Sequence, residues 1–302
     1  MLRDVAGGEA RELTSLEGAT FPAAADPLGT HALIVRSVED PHAETLWLVP
    51  LDGGEPLQLG DPAQAVRNPA WAPDGSFIVY ESNHESFRDL YRVGRNGEGP
   101  ARLTDAPHGS FEPAVGPDGR IAFVSSRDGD AELYVMGPKG SGQTRLTSIP
   151  GDDMKPAWTP DGTGLTWLAR RGALVETWRM DADGANARRF REKPVDQQLA
   201  LAQAWSPDGQ RLAVTVQFGP TDIALDVLDA RGAVLARVDG PGPDEHPSWS
   251  PDSQWLLFTG RAPDAGEPDL FRVDRDGGHR SRVTTDPAAD WLGRWLPDPP
   301  AP

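Results

Sequence analysis

Six histidines, 46 acidic residues and no cysteine bound the chemistry open to this chain of 302 residues. His31, His42, His84, His108, His246 and His279 stand singly. None belongs to a His-Glu-x-x-His helix, and without thiolates no zinc ligand set appears at its usual spacing. A serine nucleophile would need a Gly-x-Ser-x-Gly elbow, whereas Gly140-Ser141-Gly142 reads as a hairpin turn. The stretch from Asp181 to Gly184 opens like a calcium loop, but no bidentate glutamate follows at the required spacing, so it too reads as a turn. What remains is a dispersed set: Asn68, Glu112, Asp152, Asp153, Lys155, Glu245 and His246. Brought together, these could cage a hard cation such as calcium, move protons, or hydrogen-bond a peptide or a small polar ligand. Only an architecture that converges distant segments would do so.

The sequence supplies one. A short phrase recurs as NPAWAPDG, EPAVGPDG, KPAWTPDG, AQAWSPDG and HPSWSPDS, with a decayed first copy, FPAAADPLG, and a last copy, GRWLPDPP. Its tryptophan slot reads Ala24, Trp71, Val115, Trp158, Trp205, Trp249 and Trp295, at intervals of 43 to 47 residues. A period in the forties marks a propeller or a solenoid. Within one repeat, Pro69-Ala-Trp71 leads to the turn Pro73-Asp74-Gly75 and the apolar run Phe77 to Tyr80. A polar stretch from Ser82 to Asp89 follows, then Leu90 to Val93, the turn Arg95-Asn96-Gly97, and Ala101-Arg-Leu-Thr104. Asp and Gly suit such turns, because Asp can hydrogen-bond the local backbone and Gly accepts positive φ. Four short strands per repeat make a propeller blade. Alternation along those strands assigns the tryptophans to packing between blades.

These phrases resemble the TolB-type propeller repeat, a WD40-like family with a Trp-Ser-Pro-Asp-Gly signature, an Ile-Tyr or Leu-Tyr strand and a Leu-Thr ending. The resemblance covers residues 1 to about 297 and implies an all-β protein, a single propeller of four-stranded antiparallel blades. The repeat count favours seven blades, with six, as is common among TolB relatives, the alternative. Full blades are expected at about 20–61, 67–105, 111–148, 154–191, 201–239 and 245–286. Residues 1–19 supply closing strands and 290–297 a closing inner strand, so that the two termini pair and shut the ring; 298–302 form a tail.

Turns between the first and second strands, and between the third and fourth, hardly vary among copies, whereas the connections on the opposite face vary in length and chemistry. Recognition is therefore expected on the variable face. The position before each Pro-Ala-Trp phrase recurs once per blade at the mouth of the channel and reads Phe21, Asn68, Glu112, Lys155, Ala202, His246 and Leu292. Asp152, Asp153 and Glu245 stand beside it.

Composition narrows the partners. The net charge of -17 opposes binding to a phosphate backbone, so no nucleic acid is expected. No stretch approaches the apolar length of a membrane span, and the N-terminus lacks the basic-then-apolar layout of a leader. A cytoplasmic monomer is expected as the chain is written, and a periplasmic one if the true start lies upstream and adds a signal peptide. Two functions fit. The first, implied by the resemblance, is a non-catalytic scaffold that holds a protein or peptide through its variable face and channel mouth, without a cofactor. The alternative is a lyase or hydrolase acting on a sugar or lactone, with Glu112, Asp153, Lys155 and His246 as acid, base or ligand residues, with or without a divalent cation. A single histidine at the ring position favours the scaffold.

Overall fold

The computed structural model describes residues 19–37, 44–60, 65–84, 87–191, 199–262, 267–285 and 293–295. Within them the chain forms six blades of four antiparallel strands, numbered in chain order. The first contains β1 (Ala19–Ala25), β2 (His31–Ser37), β3 (Thr45–Pro50) and β4 (Leu57–Leu59). The second contains β5 (Val66–Trp71), β6 (Phe77–His84), β7 (Phe87–Gly94) and β8 (Ala101–Arg102). The third contains β9 (Ser110–Val115), β10 (Ile121–Ser125), β11 (Glu132–Met136) and β12 (Thr144–Arg145). The fourth contains β13 (Asp153–Trp158), β14 (Gly164–Arg171), β15 (Leu174–Asp181) and β16 (Arg188–Arg189). The fifth contains β17 (Leu199–Trp205), β18 (Arg211–Gln217), β19 (Ile223–Asp229) and β20 (Val234–Val238). The sixth contains β21 (Glu245–Trp249), β22 (Trp255–Gly260), β23 (Asp269–Asp274) and β24 (Ser281–Arg282). One parallel bridge, Val175 to Leu199, joins the fourth and fifth blades.

Side-chain alternation explains why blades stack. In β6, Ile78 and Tyr80 pack with Leu33, Leu46 and Leu48 of the first blade, while Phe77 and Val79 pack with Ile121 and Phe123 of the third. Each middle strand therefore buries both faces and reads as a continuous apolar run. The tryptophans fill these seams: Trp158 Nε1 donates to Ala114 O at 3.1 Å and Trp249 Nε1 to Ala204 O at 3.0 Å, each across a blade boundary. Trp205 Nε1 likewise reaches Thr166 Oγ1 at 3.0 Å.

The repeat phrases have local causes. In the Pro-Asp-Gly turns, the carboxylates of Asp74, Asp118, Asp161, Asp208 and Asp252 each accept the N–H two residues on, at 2.9 to 3.0 Å. The next residue is left-handed; Ser253 adopts φ 60° where the last of these phrases lacks its glycine. The Arg-x-Thr ending forms a clasp. Thr104 Oγ1 accepts Leu90 N and donates to the buried Asp89, which also pairs with Arg102 at 2.6 Å. Glu132, Thr147 and Arg145 repeat the arrangement in the third blade, and Asp269, Thr284 and Arg282 in the sixth.

Three expectations need adjustment. Ala25, not Ala24, occupies the first tryptophan slot: it pairs with Ala32 as Trp71 pairs with Ile78, and Gly29 N bonds Asp26 O as Gly75 N bonds Ala72 O. The polar stretch from Ser82 to Asp89 is largely strand, since Ser82 pairs with Asp89, Asn83 with Arg88 and His84 with Phe87. The seventh blade and the pairing of the termini depend on residues 1–18 and 290–297, of which only 293–295 are described. There, Gly293 lies against Leu257 and Leu270 of the sixth blade.

Candidate functional site

Inner strands β5, β9, β13 and β21 each bulge just before the Trp or Val slot. At each bulge the ring residue is left-handed: Asn68 at φ 45°, Glu112 at 52°, Lys155 at 50° and His246 at 57°. A proline follows every one of them and disfavours the right-handed helical well at the residue before it. Outside Asn and Gly this conformation is costly, and such strain collects where side chains must be aimed.

The bulge also frees the ring residue's N–H from the ladder, and a neighbouring carboxylate takes it. Glu81, fully buried on β6, accepts Glu112 N at 2.7 Å and Asn68 Nδ2 at 2.7 Å on one oxygen, and Arg88 Nη1 at 3.0 Å on the other. Glu112 Oε2 in turn accepts Lys155 N at 2.7 Å. Lys155 Nζ donates to Leu201 O at 2.6 Å, and Gln203 Nε2 donates to Lys155 O at 2.8 Å. A hydrogen-bonded belt thus runs from the second blade to the fifth.

At the belt's end two buried polar atoms have no hydrogen-bond partner, Gln203 Oε1 and His246 Nδ1. Burial holds the His246 imidazole below its ordinary pKa; Glu245 opposes this, while the positive charges of Arg294 and Lys155 reinforce it. Arg294 is also depressed by burial, and its guanidinium contacts only its neighbour Gly293 O, at 3.2 Å, among the described residues.

The remaining expected site residues lie elsewhere. Asp153 is fully buried within the fourth blade, where Oδ1 accepts Trp167 Nε1 at 2.9 Å and Arg171 Nη2 at 2.7 Å. Burial pushes its carboxyl up, and those two donors pull against the shift. Asp152 accepts Ala131 N at 3.3 Å and faces Arg170 at 3.7 Å. The fold therefore assembles Asn68, Glu112 and Lys155, sets His246 within electrostatic reach of Lys155 and Glu245, and commits Asp152 and Asp153 to local pairing. Sequence reasoning missed Glu81, Gln203 and Arg294. Each carried a signal: Glu81 follows a buried apolar run, Gln203 replaces the phrase's proline, and Arg294 replaces its small residue. Among the described residues no group of three or more His, Cys, Asp or Glu side chains is placed to hold a metal ion.

Glu112 shows how the belt responds to pH. Burial raises its carboxyl above the ordinary range, Lys155 lowers it through its N–H and its charge, and Glu81 adds to the rise. With the folded value raised, the contribution of Glu112 to stability is complete below the unfolded pKa of about 4.3 and declines as pH rises through the folded value. The stability difference between wild type and Glu112→Gln should therefore move in favour of the variant between pH 4 and pH 7 in urea titrations. A pH-independent difference would contradict this.

Comparison with known proteins agrees with this architecture. A family model described as the TolB beta propeller domain matches residues 104–196. An uncharacterized peptidase of Bacillus subtilis, YuxL, is 28% identical over 121 residues, which cover 38% of this chain and only 18% of that protein. The structure of TolB from Acinetobacter baumannii superposes with a TM-score of 0.69 at 22% identity, covering 90% of this chain and 67% of that one. An oligogalacturonate lyase in complex with manganese superposes with a TM-score of 0.68 at 16% identity, covering 86% and 75%. Repeat phrase, blade topology and these likenesses together identify the chain as a TolB-like β-propeller protein.

Proposed function

We propose that this protein is a non-catalytic scaffold that holds a protein or peptide segment through its variable face and channel mouth. The observation that carries this reading is the belt of backbone-held ring residues, ending at two buried polar atoms, Gln203 Oε1 and His246 Nδ1, that lack partners. Buried polar groups are normally satisfied, so an unsatisfied pair beside a rigid, polar opening suits an incoming ligand. The alternative enzyme would need Glu112, Asp153, Lys155 and His246 to act on one substrate. Asp153 is fully buried and paired with Arg171, and the Lys155 ammonium is held by a carbonyl. Those commitments favour binding over proton transfer.

The test is affinity capture from the host's own lysate with wild type beside a folded Glu112→Ala/Lys155→Ala/His246→Ala variant. A protein retained by wild type and depleted at least about tenfold with the variant, the size expected for losing hydrogen bonds to charged groups, is the expected result. Equal recovery would sink the reading. Turnover of a sugar or lactone that disappears in the variant would replace it with the enzyme.

A further inference from the structure

The belt of hydrogen bonds passes from the second blade to the fifth and stops before the sixth, where three cations gather. Lys155 and Arg294 both lie close enough to His246 for their charges to disfavour its protonation. Elsewhere, buried or half-buried arginines are matched: Arg95 with Asp26, Arg171 with Asp153, Arg280 with Asp244. Arg294 is the contrast, with no carboxylate beside it among the described residues. It also stands where the other complete phrases carry Ala70, Ala114, Ala157, Ala204 and Ser248, so no packing rule of the repeat calls for it. A chain of net charge -17 has placed an unpaired cation cluster at its channel mouth.

We propose that Arg294, His246 and Lys155 form a carboxylate-binding site, with Gln203 Oε1 accepting an N–H from the same ligand, and that the ligand is the carboxylate of a peptide segment. This deepens the scaffold reading and rests on it for the peptide alone. A guanidinium presents a planar fork that matches a carboxylate. Lys155 uses one ammonium proton on Leu201 O and keeps two. The buried Nδ1 of His246 becomes a donor once the ring is protonated, and Gln203 Oε1 supplies the acceptor that a peptide amide needs. The protein's overall negative charge repels an acidic ligand at long range, but screening confines that repulsion to about 8 Å at physiological salt, so the local cations decide binding.

The probes are a glutamate hexapeptide, the glutamine hexapeptide of equal length, and glutarate. Each is titrated calorimetrically into the full chain, and the His246 ring is followed by NMR. The expected result is binding of the glutamate peptide, at least about tenfold weaker binding of the glutamine peptide, and a similar loss for the glutamate peptide in Arg294→Gln. Arg294→Lys should fall between, because it keeps the charge and loses the fork. Bound carboxylate should raise the His246 pKa against the opposing effects of Arg294 and Lys155 and alongside Glu245, and affinity should grow as pH falls. Arg294→Gln should melt no lower than wild type, since it removes an unpaired, desolvated cation; a purely structural arginine would lower the melting temperature. Equal affinity for both hexapeptides, unchanged affinity in Arg294→Gln, or no binding of any probe at millimolar concentration overturns the site. Glutarate binding as tightly as the glutamate peptide would uphold the carboxylate site and overturn the peptide as its ligand.

Discussion

Asp26→Ala is expected to destabilise the protein by about 3–5 kcal/mol, the range for removing one partner of a buried ion pair. Asp26 is fully buried at the turn of the first blade. Its Oδ1 accepts Leu28 N at 3.0 Å and Arg95 Nη1 at 2.9 Å, and its Oδ2 accepts Thr30 N, Thr30 Oγ1, His31 N and Arg95 Nη2. Arg95 comes from the second blade and also lies over the Trp71 ring at 5.2 Å, so one carboxylate organises a turn and ties two blades. Burial alone would raise the Asp26 pKa; the bonds from Arg95, Leu28 and Thr30 overcome it and hold the group far below the ordinary range. A depressed folded value places the stabilisation above the unfolded pKa of about 3.9 and removes it as pH falls through the folded value. The gap between wild type and Asp26→Ala, measured by chemical denaturation, should thus be full at pH 7 and shrink below about pH 4. A loss under about 0.5 kcal/mol at pH 7, the size of an ordinary surface change, would show that the network is dispensable.

Trp158→Ala should cost about 3–5 kcal/mol through the cavity it leaves in the seam between the third and fourth blades. The indole is 8% exposed, packs in the cluster with Ala122, Val124, Leu165 and Trp167, and lies beneath the Arg120 guanidinium at 4.9 Å. Its neighbour Gly116 has no room for a side chain, because a Cβ there would meet the indole at 2.9 Å. Trp158→Phe keeps most of the ring and gives up the bond to Ala114 O, so it should lose much less, about 1 kcal/mol for the bond in addition to the smaller ring. Both variants should retain whatever ligand affinity the channel mouth has in proportion to the folded fraction. A phenylalanine variant as unstable as the alanine one would overturn the packing account, and lost binding in a fully folded Trp158→Phe would assign the indole to a ligand.

Periodicity determined much of this protein without a structure. Every recurring Pro-Asp-Gly is a local device, with an Asx bond and a left-handed residue within four positions, and short-range features of this kind survive in a one-dimensional pattern. The same holds for the apolar runs that became β6, β10 and β22, since a strand buried on both faces is apolar at nearly every position. The decayed first copy misled by one residue because its turn lacks the aspartate of the others and borrows the carboxylate of Asp26, two positions earlier in the phrase. The ring positions were legible as a ring, but their roles were not. Asp153 stands only two residues before Lys155, yet the pleat turns it into the fourth blade toward Trp167 and Arg171. Glu81, Gln203 and Arg294 come from separate blades or from beyond the sixth, and nothing local relates them. Their meeting depends on how the blades are arranged around a common axis and on bulges that swing four backbones into the left-handed region. Strand, turn and seam follow from neighbours in the chain and were readable there; the channel mouth is a property of residues more than 40 positions apart, and only tertiary packing decided which of them kept a free hydrogen-bonding atom.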